Sequence, residues 1–473
     1  MRLSDLSSLT DKISYLKIFH FPHPSSLIIQ CPSKSAGLYQ QLPVLLTDTG
    51  SYIIDIYRLW RITMSKGGLG RLCSRNHILY LLYITLFLLP LHPYVFYITL
   101  VPSVLLYGMN RCTVKEVPFQ LPPLWQPGAV FLVCAFLSAF NSLDARFSLA
   151  NWAFQPLLYA LLYVMLYSTI SSEKEKEKAL YAFLAGAIVT ATYGFIQYAN
   201  VADMTADMEA QSWVDPERFP LLRRRMYSTL ENPNLFGAYL LMIVSVLTSF
   251  FLREGEKKRK LMFGIILSVL LLCMALTYSR GAWLSLGAIV FGLTLFYDRR
   301  FGFLFLLVPV VLLFYHGQIV ERFLSLFSGE DTSVSLRYAL WESTRAMIED
   351  HPFLGIGWGT YFLAYPEYNF FIQEPGVLIF HAHNMYLNMP AEVGIPGGLA
   401  FIGTVFAQGY LSFRIYKKGK DSFSRSLGLG GLLMVMAIGV ISMGDHVLFS
   451  RSVSFCFWSL SALCVSGRKE EGK

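Results

Sequence analysis

Charge is what this sequence has least of. Only 15% of its 473 residues are Asp, Glu, Lys or Arg, against roughly 25% in soluble domains. A chain so poor in ionisable groups cannot clothe a water-facing globule. Its 54% of hydrophobic residues and mean hydropathy of +0.48 exclude a soluble domain on the same ground. Acidic residues are the scarcer sign, 31 against 39 basic, for a net charge of +8. That surplus does not indicate a nucleic-acid partner, because the basic residues sit in short loops between apolar runs, as loops at an anionic cytoplasmic leaflet do. Cysteine is also scarce. Cys73 and Cys112 fall in segments expected on the cytoplasmic side, Cys134, Cys273, Cys456 and Cys464 in apolar runs, and Cys31 near the N-terminus. No extracytoplasmic disulfide framework is therefore expected, and no Cys/His spacing matches a zinc site.

Long apolar runs are what the chain has in quantity. A helical crossing needs roughly 17–25 residues. Runs near 78–91, 94–108, 128–143, 148–171, 177–199, 234–252, 261–278, 282–297, 302–316, 385–413, 426–443 and 447–466 read as spans. They predict an all-α polytopic membrane protein with about twelve transmembrane helices. Residues 89–93, Leu-Pro-Leu-His-Pro, divide the first two. With two crossings there and cytoplasmic termini, one side receives Arg111, Lys115, Lys174, Lys176, Lys178, Arg253, the Lys257–Lys260 run, Arg299, Arg300, Lys417, Lys418, Lys420, Arg468 and Lys469. A single crossing would set every later loop against the positive-inside rule.

The organisation that follows has five parts. Residues 1–76 form a cytoplasmic N-terminal segment whose first 63 residues lack periodicity and any signal-peptide pattern, with Met64 as a second candidate start. Residues 77–316 hold nine spans and an outer loop near 200–233. Residues 317–384 form a long extracytoplasmic loop, 385–466 the last three spans, and 467–473 a cytoplasmic tail.

The two outer segments are too long to be plain connectors. In the second, Ser335 is expected to cap an amphipathic helix running to about Asp350, with Leu336, Leu340, Met347 and Ile348 on its apolar face. Such a helix is expected to lie along the membrane surface. His351-Pro352 would end it, and Gly355, Gly357 and Gly359 follow as a glycine-rich turn.

These segments also break the charge rule, through Arg223, Arg224, Arg225, Arg280, Arg337 and Arg345. Long loops translocate whatever their charge, and a solvated loop residue is the simplest account of Arg345. Arg280 differs. It sits in Thr-Tyr-Ser-Arg-Gly-Ala-Trp at the junction of two apolar runs, with no acidic neighbour in sequence. A cation there is costly and by default functional. A guanidinium suits phosphate oxygens bidentately, while snorkelling to the headgroups is the bland alternative.

A second signal is His381-Ala-His383-Asn384-Met-Tyr386-Leu, which opens a span directly after the long outer loop. An interfacial structural histidine is the bland reading. A metal is not expected, because no carboxylate cluster accompanies the pair. The sharper reading sets an imidazole, which ordinarily titrates near about 6.5, at the mouth of the membrane, where a general base would meet a lipid-linked substrate.

Taken in order, Arg225-Met-Tyr-Ser228-Thr229-Leu-Glu-Asn232-Pro233-Asn234, Ser279-Arg280-Gly281-Ala-Trp283, Arg337 with Trp341, Pro352-Phe-Leu-Gly355-Ile-Gly357-Trp-Gly359, and His383-Asn384-x-Tyr386-Leu387 with Gly394 and Gly397 make a connected set. Over residues 78–466 the chain resembles the bacterial O-antigen ligase and O-antigen polymerase family. The resemblance implies glycosyl transfer from undecaprenyl diphosphate to an acceptor hydroxyl at the outer face of the bacterial inner membrane, metal-independent, cofactor-free and inverting. It implies that Arg225 and Arg280 bind the diphosphate and that His383 takes or positions the acceptor's proton. Arg224, Arg337, Asn384, Tyr386 and Asp445 are the candidate substrate-binding residues, with Asp445 open to three roles: orienting His383, balancing Arg280, or capping a helix. The expected partners are the lipid-linked glycan, an acceptor glycan, lipid A-core or other hydroxyl, and the bilayer.

Elementary chemistry agrees with the resemblance. A diphosphate leaving group needs positive charge where negative charge develops. An attacking hydroxyl gains about 10²–10⁴-fold from a base. The first outer loop, Leu91-His92-Pro93, holds no carboxylate for a metal. The competing class is a transporter or flippase, with a helix broken near Gly394-Ile-Pro396-Gly397. Ligase and polymerase share the motifs, so the sequence leaves that choice open.

Overall fold

A computed structural model describes residues 72–200, 225–230, 232–306, 309, 332–370 and 378–466. All of them belong to one compact unit, Thr63–Lys473. The expectations for residues 1–71, Arg223, Arg224, most of 302–316 and the tail fall outside the described residues.

Regular structure among these residues is helical. In chain order the helices are α1 (Arg75–Leu88), α2 (Tyr97–Cys112), α3 (Gln126–Ser138), α4 (Ala145–Thr169), α5 (Glu173–Ala199), α6 (Pro233–Arg253), α7 (Lys257–Leu276), α8 (Arg280–Phe296), α9 (Thr332–Asp350), α10 (Met385–Lys418), α11 (Ser422–Ile441) and α12 (Arg451–Val465). Six of them, α4, α5, α6, α7, α10 and α11, are long and apolar enough to cross a membrane. Helices α3, α8 and α12 are shorter and apolar. The expected run at 302–316 begins instead as 3₁₀ turns over Arg299–Leu306.

Local chemistry sets the helix starts. Ser172 caps α5 in a capping box with Glu175. Asn232 caps α6, whose first residue is Pro233, and Ser279, Asn384 and Asp421 cap α8, α10 and α11. Burial sorts the helices. Residues 452–465 of α12 are buried on every side, the mark of a central helix. Helix α7 buries only 22% of its apolar window and α6 buries 72%. Gly430 lets α11 press against the backbone of α6, where a Cβ would lie 2.8 Å from the Val246 Cα.

Contacts distinguish the two ends of the bundle. At one, Arg75 pairs with Glu175, Arg259 with Glu177, and Lys176 donates to the Ser466 carbonyl. At the other, Thr229 donates to the Pro90 carbonyl and Arg451 to the Tyr94 hydroxyl. Helix α6 joins the two ends, with Asn234 at its start and Arg253 at its finish.

The segment after residue 331 departs from expectation in two ways. Helix α9 starts at Thr332, so Ser335 lies inside it rather than capping it. Its apolar face covers protein: Leu340 and Met347 are fully buried in a small second core with Ile356, Tyr361, Ile379, Ala382 and Ala391, and Leu336 and Ile348 pack on its edge. Arg345 is solvated, facing Glu349 at 3.7 Å. The glycine turn locks onto a break in α10 at Val393–Gly394. There Ile356 and Gly357 donate to the Ala391 and Glu392 carbonyls (2.9 and 3.0 Å), and Ile395 donates to the Pro352 carbonyl at 2.8 Å. A broken helix at membrane depth is tolerated when other protein satisfies its freed groups. Gly394 has φ +74°, and a Cβ there would meet the Phe353 carbonyl oxygen at 2.0 Å, so only glycine fits. The six described cysteines are all free.

Candidate active site

Three stretches far apart in sequence meet at the end of the bundle opposite the basic loops. The first is Arg225–Leu230 with the start of α6. Met226 donates to the Leu276 carbonyl, and Ser228 is held by Gln197 Oε1 and the Thr190 carbonyl. This fixes Arg225, whose Nε donates to the Thr277 carbonyl at 2.9 Å and whose Nη2 donates to Asn234 Oδ1 at 3.1 Å. The second is the α7–α8 junction. Ser279 accepts from the Ala282 N–H and donates to Asn234 Oδ1 at 2.8 Å. Arg280 follows as the first residue of α8, only 8% exposed. A cation at a helix N-terminus opposes the helix dipole by about 0.3–1 kcal/mol. That cost makes sense where guanidinium and helix end act together on an anion.

The third stretch pairs the entry to α10 with the turn before α12. Met385 donates to the Ser442 carbonyl at 3.0 Å and brings residues 381–384 against Asp445 and His446. His383 Nδ1 lies 3.1 Å from Asp445 Oδ1, with φ of His383 at +49°. His381 Nδ1 is 4.0 Å from the same oxygen and accepts the His383 backbone N–H at 3.2 Å. The other Asp445 oxygen accepts from Asn234 Nδ2 at 2.9 Å.

Electrostatics assign the protons. Burial alone would raise the Asp445 carboxyl, but His383, His381 and the Arg337 guanidinium outweigh it and hold it well below the usual carboxylate range. A carboxylate only accepts, so the 3.1 Å contact requires the proton on His383 Nδ1 and leaves the lone pair of a neutral ring on Nε2. Burial pushes His381 well below its ordinary value, with neighbouring positive charge adding to the effect and Asp445 opposing it. Burial also takes His446 down to about 3, against Asp445, so that ring stays neutral. Neither nitrogen of His446 has a hydrogen-bond partner among the described residues.

His381, His383 and Asp445 offer ligand-type atoms all within 4.8 Å of one another. They are the described residues that could hold a metal. The sequence argument that no carboxylate accompanies the histidines is therefore corrected: Asp445 arrives from 62 residues away. Both Nδ1 atoms are already engaged in hydrogen bonds, His383 as donor and His381 as acceptor.

Of the residues singled out from the sequence, the fold brings Arg225, Asp445 and His383 into one hydrogen-bonded chain, and Arg337 close enough to influence His381 and Asp445. Asn384 and Tyr386 have structural work. Asn384 accepts the Tyr386 and Leu387 N–H groups as the cap of α10, and the Tyr386 hydroxyl donates to the Gly439 carbonyl of α11. Asp445 does not cap α12, whose N-cap is Ser450. Arg224 lies outside the described residues. Sequence reasoning gave no role to Asn234 or Ser279, and it set His446 beside Asp445 only as a residue on the right side to join the site. The only signal for Asn234 was its place in Asn232-Pro-Asn234, which reads first as a helix start.

Residues 265–402 match the family described as O-antigen ligase. The chain is also similar to the ComP-specific O-oligosaccharyltransferase of Acinetobacter baylyi, 26% identical over 205 residues, which is 40% of this chain. It spans about a third (35%) of the length of that relative. Both matches bear out the resemblance carried by the ordered motifs. The matched family segment contains Arg280, Arg337, His381 and His383, while Arg225, Asn234 and Asp445 lie beyond its ends.

Proposed function

With an O-antigen ligase segment at residues 265–402 as the premise, we propose that this chain is a glycosyltransferase of about twelve spans in the bacterial inner membrane. It moves a glycan from undecaprenyl diphosphate to an acceptor hydroxyl on the extracytoplasmic side. The observation that carries the reading is the His383–Asp445 pair, 3.1 Å apart and joined through Asn234 to Arg225.

In the proposed step, Arg225 and Arg280 bind the diphosphate, and Arg337 lies near enough to act with them. Asp445 holds the His383 proton on Nδ1, and Nε2 takes the proton of the acceptor hydroxyl as its oxygen attacks the anomeric carbon. One C–O bond forms on the face opposite the leaving group. The bond to the diphosphate oxygen breaks, and undecaprenyl diphosphate departs with the electron pair against arginine charge. Configuration inverts. No divalent metal is required, because the arginines supply the charge a metal would.

Ligase and polymerase differ only in the acceptor: lipid A-core or a protein hydroxyl for one, a second lipid-linked glycan for the other. The ligase reading is preferred because both matches are to transferring enzymes named for ligation or oligosaccharyl transfer. The test is transfer by purified protein in liposomes, from a lipid-diphosphate glycan to each acceptor class in turn, with the product's anomeric configuration read by NMR. An intact lipid-linked glycan with every acceptor would leave the transporter reading standing. A product of retained configuration would remove the single-displacement mechanism.

A further inference from the structure

We propose that Asn234 is a positioning residue that fixes the Asp445 carboxylate for His383 while keeping Asp445 apart from Arg225; the inference rests on the transfer reading above. Asn234 is the second residue of α6, and its amide meets three partners. Oδ1 accepts from Arg225 Nη2 at 3.1 Å and from Ser279 Oγ at 2.8 Å, and Nδ2 donates to Asp445 Oδ2 at 2.9 Å.

The amide's orientation is not arbitrary. A guanidinium only donates and a carboxylate only accepts, so a flipped amide would set donor against donor at one end and acceptor against acceptor at the other. The Asp445 carboxylate is thereby held through both oxygens. Oδ2 takes the Asn234 donor, and Oδ1 takes His383 Nδ1 at 3.1 Å and the His446 backbone N–H at 2.8 Å. Rotation of the carboxylate is blocked, so the His383 ring is held in one orientation by its Nδ1 contact with Asp445.

The neutrality of Asn234 matters as much as its geometry. Were Arg225 to meet Asp445 directly, the two would form an ion pair. The arginine would lose the charge it offers a diphosphate, and the carboxylate would lose its hold on His383. An amide between them satisfies both and transfers charge to neither. Among the common side chains of this length, only Asn has a donor and an acceptor that keep their roles at every pH.

The test compares wild type, Asn234→Asp, Asn234→Ala, Asn234→Ser and His383→Ala in the liposome assay at about pH 9, because a carboxyl facing Asp445 ionises less readily than a free one. A packing role for Asn234 would be met by Asn234→Asp, because a carboxylate accepts from Arg225 and Ser279 at least as well as an amide does. A positioning role would not, since the donor to Asp445 is gone and two carboxylates face each other.

The expected result is a lowered but still cooperative melt for Asn234→Asp, folded at the assay temperature, with kcat down at least about 10-fold, within the roughly 10²–10⁴-fold that a base contributes. The acceptor KM should change little. Asn234→Ala and Asn234→Ser should also fall in kcat, Ser less because its hydroxyl still donates. Wild-type kcat in Asn234→Asp would overturn the proposal. So would failure of all three variants to fold, which would assign Asn234 to the packing of α6. The wider reading is judged separately, by wild-type transfer and its loss in His383→Ala.

Discussion

Asp445 and His383 lie 3.1 Å apart across 62 residues of sequence, and the carboxylate decides which nitrogen of the ring carries the proton. The consequence for stability is specific. Since Asp445 is held below the usual carboxylate range, its contribution is fully present above the unfolded carboxyl value of about 4 and is lost as pH falls from there toward the lower folded value. Asp445→Asn should therefore melt below wild type at pH 7, with the gap narrowing near pH 3.5. A gap of equal size at both pH values would contradict this. Transfer by Asp445→Asn should also fall, by up to the roughly 10⁴-fold seen when a His–Asp pair loses its tautomer control.

For the histidines, transfer should depend on His383 more than on His381. The Nδ1 of His381 is engaged by the His383 backbone, and burial holds that ring neutral, as it does His446. Single-turnover rates should fall by about 10²-fold or more in His383→Ala, while His381→Ala should keep most of the wild-type rate. EDTA should leave the wild-type rate unchanged. Loss of activity in EDTA, restored by Mn²⁺ or Mg²⁺, would turn the His381–His383–Asp445 group into a metal site.

Arg280→Ala should abolish detectable transfer, and Arg280→Lys should recover little, because a point charge does not reproduce a bidentate phosphate contact. The position is buried, so melting curves accompany the assay. A variant that keeps its melting temperature and also transfers at a near-normal rate would end the diphosphate-binding role.

Sidedness is tested with single cysteines at exposed positions in a variant lacking the native ones. Tyr338→Cys on α9 is expected to react with a membrane-impermeant thiol reagent in intact spheroplasts, and Lys257→Cys only after permeabilisation. The reverse pattern would turn the protein over and with it the mechanism.

Helix type and order were legible because length and apolar content settle them without tertiary help. Helix ends and side-chain roles were less so, for identifiable reasons. Asp331, Thr332, Ser333 and Ser335 are all good capping residues, so local preference does not fix where α9 begins. Asn384 and Tyr386 look like site residues beside His383, yet their polar atoms hold α10 in place. For Asp445 and Asn234 the decisive partners come from other segments of the chain, and nothing within a few residues of either position announces them.

The junction between the glycine turn and the break in α10 also governs how parts of this protein could be exchanged with those of its relatives. A transplant of residues 332–384 alone, cut at the boundary with α10, would press a foreign turn against a native break. The backbones there are so close that a Cβ on Gly355 would lie 2.4 Å from the Glu392 carbonyl carbon, and one on Gly394 would lie 2.0 Å from the Phe353 carbonyl oxygen. Donor and recipient would have to match atom for atom at both surfaces. A working graft therefore carries the turn and the first turns of α10 together, with its seam beyond Ile395, and any specificity housed in residues 332–384 travels with α10 rather than as a detachable cassette.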